Sequence, residues 1–290
     1  MEKLLLIICL VLTGSIFAQN ISEENIIGVY QLKSNDPMGG NTLVFLPNNT
    51  YAIAYFGGIQ KGTWELENGK LKVTKTVAPQ FALYGRKISA LDNTTQVKLS
   101  TRSENRVLVG FNAKNPTLLK RLFNPNSNCY IPPYVINEKG SIHQFNLALL
   151  EEFPGYKLQG AEKQARVFQF KNPESYNDLI VVNLPSEYTT ESNIPITFKD
   201  GLLYVGSFSE GMKKKPLTSL NEEDTMYIQK YSSESLLPQK LQYGDEFFPY
   251  FENPTTEELK PYQRVKVIEV SKTHISLQTG SFLTATCKEE

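Results

Sequence analysis

The two histidines, His143 and His274, are where a search for hydrolytic chemistry begins. A Ser-His-Asp site needs a histidine within hydrogen-bonding distance of a nucleophile. Ser141 lies close before His143, but the chain has no Gly-x-Ser-x-Gly turn of the kind that exposes a nucleophilic serine. Both histidines are therefore interpreted as surface or structural residues, and the sequence predicts no catalytic residue.

The cysteines could serve as metal ligands or as a disulfide. Cys9 lies in the amino-terminal apolar run, which leaves Cys129 and Cys287. Neither has a cysteine or histidine partner at zinc-site spacing, and no Gly-x-Gly-x-x-Gly or Walker loop occurs. We therefore expect no metal and no cofactor. In an oxidising compartment the pair is a disulfide candidate, and two separate thiols are the alternative.

Carboxylates beside aromatic rings are the third pattern with chemical potential. The stretch YGDEFFPYF (243–251) sets Asp245 and Glu246 among five aromatics, as in a sugar-binding surface. Adjacent residues of an extended chain point to opposite faces, so the two acids are not expected to act as one catalytic pair. A second acidic run, NEED (221–224), lacks the spacing of a calcium loop.

The amino terminus predicts export. Residues 1–18 start with Glu2 and Lys3, continue through an apolar run and end in small residues at Ala18, as a signal peptide does. The apolar run is about half of the ~20 residues that span a bilayer, so cleavage is favoured over a membrane anchor. We expect a periplasmic or extracellular protein with no membrane span in the mature chain.

The charge balance excludes one class of partner. Lys plus Arg and Asp plus Glu both number 30, giving a formal net charge of zero. Proteins that bind nucleic acid through its phosphates carry a basic excess, so we expect no nucleic-acid partner.

The elements that must position any site divide into two regions. Proline and asparagine crowd the stretch FNPNSNCYIPPY, which predicts a linker over 124–134 between domains 20–123 and 135–290. The sequence pattern of the first region predicts eight short strands that form an antiparallel barrel. The predicted strands are Ile26–Leu32, Thr42–Leu46, Tyr51–Phe56, the two arms of GTWELENGKLKV, Phe81–Leu91, Thr95–Ser100 and Arg106–Phe111.

Two hairpins have a predicted register. Asn68-Gly69 is the strongest two-residue turn signal, and it pairs Trp64 with Val73 on one face. A three-residue loop at 48–50 would set Phe45 opposite Ile53 and Leu43 opposite Tyr55.

The second region is predicted to be β-rich with little helix. Phe145, Leu149 and Phe153 share a face of a possible short helix that ends at Pro154-Gly155. The predicted strands are Ala165–Phe170, Asp178–Leu184, Leu202–Phe208 and Thr225–Tyr231, followed by a hairpin around Ser271-Lys272.

Residues 26–112 resemble bacterial lipocalin-like domains. The resemblance is carried by Gly28-Val29-Tyr30, where that superfamily often has Gly-x-Trp, and by LVFLPNNTY and GTWELENGKLKV. It implies an eight-stranded barrel that sometimes holds a small apolar ligand. The side chains that would line the ligand cavity are Tyr30, Phe45, Tyr55 and Trp64. The alternative is that these side chains fill a solid core.

Together these patterns predict an exported, non-enzymatic protein of the bacterial envelope that binds a small apolar ligand or a partner protein. One alternative is an assembly component that docks through exposed Phe247, Phe248 and Tyr250. The other is a hydrolase with acidic catalytic residues that have no sequence signature.

Overall fold

The computed structural model describes residues 22–32, 40–55, 58–100, 106–124, 127, 134–150, 163–191, 195–206 and 209–284. The protein is mainly β, as predicted, with several sheets and little helix. It divides into two compact units, each drawn from two stretches of chain. Unit 1 comprises Met1–Thr76 and Glu191–Glu234, and unit 2 comprises Val77–Thr190 and Ser235–Glu290. The sequence predicted a different division, into two domains that are each one continuous stretch of chain, 20–123 and 135–290.

Unit 1 is built on a five-stranded antiparallel sheet in which each strand pairs with the next in the chain. Its strands are β1 (Gly28–Gln31), β2 (Thr42–Phe45), β3 (Thr50–Tyr55), β4 (Gly58–Glu67) and β5 (Lys70–Lys75). The Asn68-Gly69 hairpin has the predicted register, with Trp64 opposite Val73. Both turn residues have positive φ, at 51° and 73°, as a two-residue turn of this type requires.

The β2–β3 hairpin differs from its prediction by two residues. Leu43 lies opposite Ile53 and Phe45 lies opposite Tyr51. The loop is Pro47-Asn48-Asn49, because Leu46 N donates to Thr50 O at 2.9 Å, and Asn49 takes the left-handed conformation at φ 61°. A shift of two keeps every side chain on its predicted face, since the side-chain period of a strand is two.

The remaining elements of unit 1 flank this sheet. They are the short helix α1 (Glu23–Ile26) and a three-stranded sheet of β14 (Ile196–Lys199), β15 (Leu202–Val205) and β16 (Met212–Lys213). A 3₁₀ turn (Leu217–Ser219) and a twelve-residue helix (Glu222–Ser233) follow. One face of the five-stranded sheet packs on β14–β16, and the other packs on Ile228 of the long helix.

Unit 2 contains a six-stranded mixed sheet and a closed five-stranded barrel. The sheet, in spatial order, is β10 (Tyr134–Lys139), β7 (Thr94–Ser100), β13 (Asp178–Asn183), β6 (Phe81–Arg86), β18 (Tyr262–Val265) and β17 (Lys240–Leu241). The barrel is β11 (Gln144–Leu149), β12 (Lys163–Lys171), β19 (Val267–Leu283), β9 (Leu118–Phe123) and β8 (Val107–Phe111). A short helix α2 (Ser186–Thr189) and a 3₁₀ turn (Ser89–Leu91) complete the unit.

The described residues form no eight-stranded antiparallel barrel. The strands predicted for it are present but belong to three sheets: β1–β5 to the first, β6 and β7 to the second, and β8 to the five-stranded barrel. The reason is that β6 takes both neighbours, β13 and β18, from far along the chain. The β13–β7 and β19–β9 pairs are parallel, which short hairpin connections cannot produce.

Three predictions in the second region are wrong. Residues 225–231 belong to the helix Glu222–Ser233, which is named α3 from here on. The helix proposed at Phe145 and Leu149 is the strand β11, which bonds to β8 and β12 on its two sides. Ser271-Lys272 makes no turn and lies inside β19. The strands predicted over 165–170 and 178–184 are confirmed as β12 and β13, and the one predicted over 202–208 is confirmed over Leu202–Val205 as β15.

Several predictions fall on residues outside the described part of the chain. These are the signal peptide, both cysteines of the proposed disulfide (Cys129 and Cys287), Phe153, Pro154 and most of the predicted linker. Among the helices that are described, α3 is the longest at twelve residues, and none has the length and apolar character needed to cross a bilayer.

Candidate functional site

The predicted ligand-lining residues form part of a packed aromatic core. Tyr30, Phe45 and Trp64 are each at most 2% exposed. The ring centroids of Tyr30 and Phe45 lie 5.9 Å apart, those of Phe45 and Trp64 also 5.9 Å, and both pairs are edge to face. This is the favoured geometry for aromatic pairs in a core. Tyr55 is half-buried at the end of β3.

The polar atoms of these rings are satisfied by the backbone. The Tyr30 hydroxyl donates to Ile26 O at 2.8 Å, and Trp64 Nε1 donates to Leu46 O at 3.2 Å. Burial raises the pKa of Tyr30. The three rings therefore contact one another and the main chain, which is how side chains of a solid core behave.

An apolar groove lies on the opposite face of the same sheet, beside α3. Its volume is about 250 Å³. Nine residues line it, five of them apolar: Leu46, Leu217, Leu220, Met226 and Ile228, with Thr218, Glu222, Thr225 and Gln229 as the polar members. Met226 is 60% exposed, whereas Ile228 and Leu46 are buried and form the floor. The arrangement can bind a small apolar group through its floor and offer polar contacts at its rim.

Helix α3 is fixed at its amino end by a cap. Asn221 Oδ1 accepts from the Asp224 backbone N–H at 2.7 Å, and the Thr225 hydroxyl donates to Asn221 O at 2.8 Å. Asparagine is among the best N-cap residues, and the acids that follow it complement the positive end of the helix. The acidic run NEED is thus a helix start, and its position sets where Glu222 and Thr225 meet the groove.

The carboxyl end of α3 is held by a buried lysine. Lys61 of β4 is 3% exposed, and its Nζ donates to the carbonyl oxygens of Tyr231 and Glu234. Its Nζ also lies 4.3 Å from the centroid of the Tyr231 ring. Burial lowers the pKa of Lys61, and the charge of Glu234 opposes part of that change. A cation at the carboxyl end of a helix satisfies carbonyls that have no partner inside the helix.

Helix α3 forms one wall of the groove, and Leu217 to Leu220 contribute to the other. This second wall depends on a close approach of two chain segments. Val29 and Lys215 exchange both backbone hydrogen bonds at 2.9 Å, which brings Leu217 and Leu220 to the edge of the sheet. Gly28 permits this approach, since a Cβ at that position would lie 2.7 Å from Lys215 O. Both walls of the groove are therefore set by named contacts within unit 1.

Unit 2 contains a buried charge cluster that no sequence motif predicted. Asp178 of β13 lies opposite Arg86 of β6, and Arg86 Nε donates to its Oδ2 at 2.8 Å. Lys98 Nζ donates to Oδ1 at 2.5 Å, and the Tyr262 hydroxyl donates to Oδ2 at 2.7 Å. Asp178, Arg86 and Tyr262 are each at most 3% exposed.

The electrostatics of this cluster indicate a structural role. Burial lowers the pKa of Lys98, although the charge of Asp178 opposes it. Burial also raises the pKa of Tyr262, as does the neighbouring Asp178. Arg86 Nη1 donates to the carbonyl oxygens of Glu258 at 2.5 Å and of Lys260 at 2.7 Å. Each oxygen of Asp178 is thus occupied by a charged donor, and the cluster ties the segment before β18 to the sheet.

The aromatic and acidic stretch 243–251 lies in turns, and its Phe248 packs on Tyr262 of β18 with ring centroids 5.5 Å apart. Phe248 is buried at 8% exposure, Tyr250 is 86% exposed and Phe247 is half-buried, so the three predicted docking residues do not share one environment. Asp245 Oδ2 accepts from Gln242 N at 2.6 Å, which is a turn-stabilising contact. Asp245 and Glu246 are both exposed, as expected of surface turn residues.

Comparison with protein-family models, with curated proteins and with solved structures found no match for this chain. In the part of the chain that the structure describes, no three His, Cys, Asp or Glu side chains are placed to hold a metal ion.

The sequence reasoning missed the groove because it assigned α3 as a strand. The signal that identifies the helix is present: a capping Asn221 followed by three acids in the first turn. The charge cluster had no local signal, since its four members come from four different strands. Their proximity follows from strand pairings that no local pattern specifies.

Proposed function

We propose that this protein is an exported, non-enzymatic binding protein of the bacterial envelope and that the groove beside α3 takes a small apolar ligand. The observation that carries the proposal is the open apolar groove on one face of the unit 1 sheet. Three of the four aromatic residues predicted to line a ligand, Tyr30, Phe45 and Trp64, pack in the core instead. Export to the periplasm or cell exterior rests on the sequence of residues 1–18.

The size and lining of the groove support a short apolar ligand. A volume of about 250 Å³ lies just below the ~300–1,000 Å³ of sites for drug-sized molecules. An alkyl chain or a small aromatic molecule matches that space better than a folded lipid does. Met226 suits such a role because its flexible thioether adapts to ligands of different shape.

Binding of the neutral fluorescent probe N-phenyl-1-naphthylamine to the purified mature protein tests the proposal. We expect saturable fluorescence enhancement with one site per chain. Met226→Glu places a charge in the groove at an exposed position of α3 where it has little effect on folding. It should weaken binding by about 5-fold or more, since roughly 1 kcal/mol of apolar contact is lost.

Tyr227→Gln is the matched control. Tyr227 is the next residue of α3, is similarly exposed at 57%, and stacks on Tyr231 instead of lining the groove. It should leave probe affinity unchanged. Equal loss in both variants, or no saturable binding to the wild type, would refute the proposed site.

A second candidate function is docking of a partner protein through the 243–251 turn of unit 2. It is favoured by Tyr250, which is 86% exposed, and by Tyr243 at 56%. Native mass spectrometry of the protein taken from its own envelope separates the two functions. A small-molecule adduct that Met226→Glu removes supports the groove, and a protein adduct that Tyr250→Ser removes supports docking.

A further inference from the structure

We propose that the groove beside α3 selects ligands that join an apolar body to a cationic group, with Glu222 as the residue that recognises the charge. This inference rests on the proposed function, since it specifies the ligand of the same groove. The expected ligands are short alkylamines and related amphiphilic cations.

Glu222 is the charged member of the groove lining. It is the first residue of α3, it is exposed, and no ion pair or hydrogen bond to its carboxylate is found among the described residues. The apolar floor formed by Leu46 and Ile228 excludes water from the body of a ligand. A ligand ammonium at the rim would therefore meet a carboxylate that has no competing partner in the described part of the chain.

The other charges near Glu222 favour a cation over an anion. A helix amino terminus alone carries about half a positive charge and attracts anions. The first turn of α3, however, contains Glu222, Glu223 and Asp224, whose summed charge outweighs that partial charge. Asp224 is engaged by the Asn221 side chain at 2.8 Å, which leaves Glu222 as the acid that faces the groove.

Two nearby lysines of the chain are directed elsewhere. Lys214 Nζ donates to Glu24 O at 2.6 Å, and Lys215 Nζ donates to Gln31 Oε1 at 2.6 Å. Both therefore serve to fasten the segment before the groove to α1 and β1. Both keep their positive charge, but neither forms an ion pair with Glu222 in the described part of the chain, so its carboxylate is open to the cation of a ligand.

The test compares three ligands with the same chain and different head groups: octylamine, 1-octanol and octanoate. Each competes with N-phenyl-1-naphthylamine at neutral pH and low salt. Because an exposed ion pair contributes little, octylamine should bind about 2- to 5-fold more tightly than 1-octanol. Octanoate should bind more weakly than the alcohol, and 0.5 M salt should remove most of the difference.

Glu222→Gln should abolish the preference for the amine and leave 1-octanol affinity unchanged. Glu223→Gln removes the same charge from the adjacent residue, which does not line the groove, and should keep most of the preference. If the three ligands compete equally, or if both variants lose the preference alike, charge recognition by Glu222 is wrong while the apolar site stands. If neither the probe nor any of the ligands binds, the proposed function itself fails.

Discussion

Asp178→Asn should strongly destabilise unit 2. The substitution keeps the shape of the side chain but removes the charge that pairs with Arg86 Nε at 2.8 Å and Lys98 Nζ at 2.5 Å. The Arg86 side chain is 3% exposed and that of Lys98 is 16% exposed, so water cannot replace the lost carboxylate. Leaving a buried charge without its partner costs about 3–5 kcal/mol.

Urea unfolding measures this loss. With a denaturant slope of about 2 kcal/mol/M, the expected change is a fall of roughly 1.5–2.5 M in the midpoint followed by far-UV circular dichroism. The single tryptophan, Trp64, lies in unit 1 and reports that unit separately by fluorescence. The comparison of the two signals shows whether the loss is confined to unit 2.

Two further variants serve as controls for Asp178→Asn. Glu65→Gln breaks the exposed pair with Lys72 at 2.7 Å and should leave the midpoint unchanged. Replacing the whole set with Arg86→Met, Lys98→Met and Asp178→Leu should recover part of the loss, because no charge then remains unpaired. Recovery should be incomplete, because the Tyr262 hydroxyl and the carbonyls of Glu258 and Lys260 lose their partners. A midpoint shift below about 0.5 M for Asp178→Asn would refute the structural role of the cluster.

Three other predictions concern the scaffold of the groove and the buried tyrosines. Gly28→Ala should lower the free energy of unfolding and weaken probe binding, because its Cβ would lie 2.7 Å from Lys215 O; urea unfolding and probe titration check both. Lys61→Met should cost about 1–3 kcal/mol by leaving two helix carbonyls without a donor, and amide hydrogen exchange should rise first at the end of α3. Burial raises the pKa of Tyr51 and of Tyr84 to about 12 from the ordinary value of 10. Their stabilisation is present below pH 10 and is lost as pH rises from about 10 to about 12, because the unfolded chain ionises first. Stability at pH 9 and pH 11, followed with tyrosinate absorbance, should show this fall, and constant stability would contradict it.

The sequence predicted those parts of the fold that local chemistry decides. Asn68-Gly69 fixes its hairpin because both residues accept positive φ and the turn admits a single register. The Pro47-Asn48-Asn49 loop was placed with less accuracy, since three-residue loops leave the flanking register to tertiary packing. The order of strands in unit 2 could not be predicted from local patterns. Strand β13 pairs with both β6 and β7, although both lie far before it in the chain.

The candidate site shows the same limit. Residues 225–231 are rich in β-branched and aromatic residues, as strands are, but the cap at Asn221 and the Lys61 side chain stabilise a helix there. Leu46 and Leu217 come together only because Val29 pairs with Lys215. No spacing in the sequence specifies that bridge, so the groove becomes visible only in the folded chain.

Methyl NMR of the protein carrying ¹³C-methyl methionine tests the central claim most directly. The chain has four methionines, and the two that the structure describes both lie in unit 1: Met226 in the groove and Met212 buried in the aromatic core on the other face of the sheet. Titration with octylamine or 1-octanol should shift the Met226 signal to saturation and leave the Met212 signal in place. A Met226 signal that stays fixed while ligand binds, or a shift at Met212 alone, would contradict a binding site beside α3.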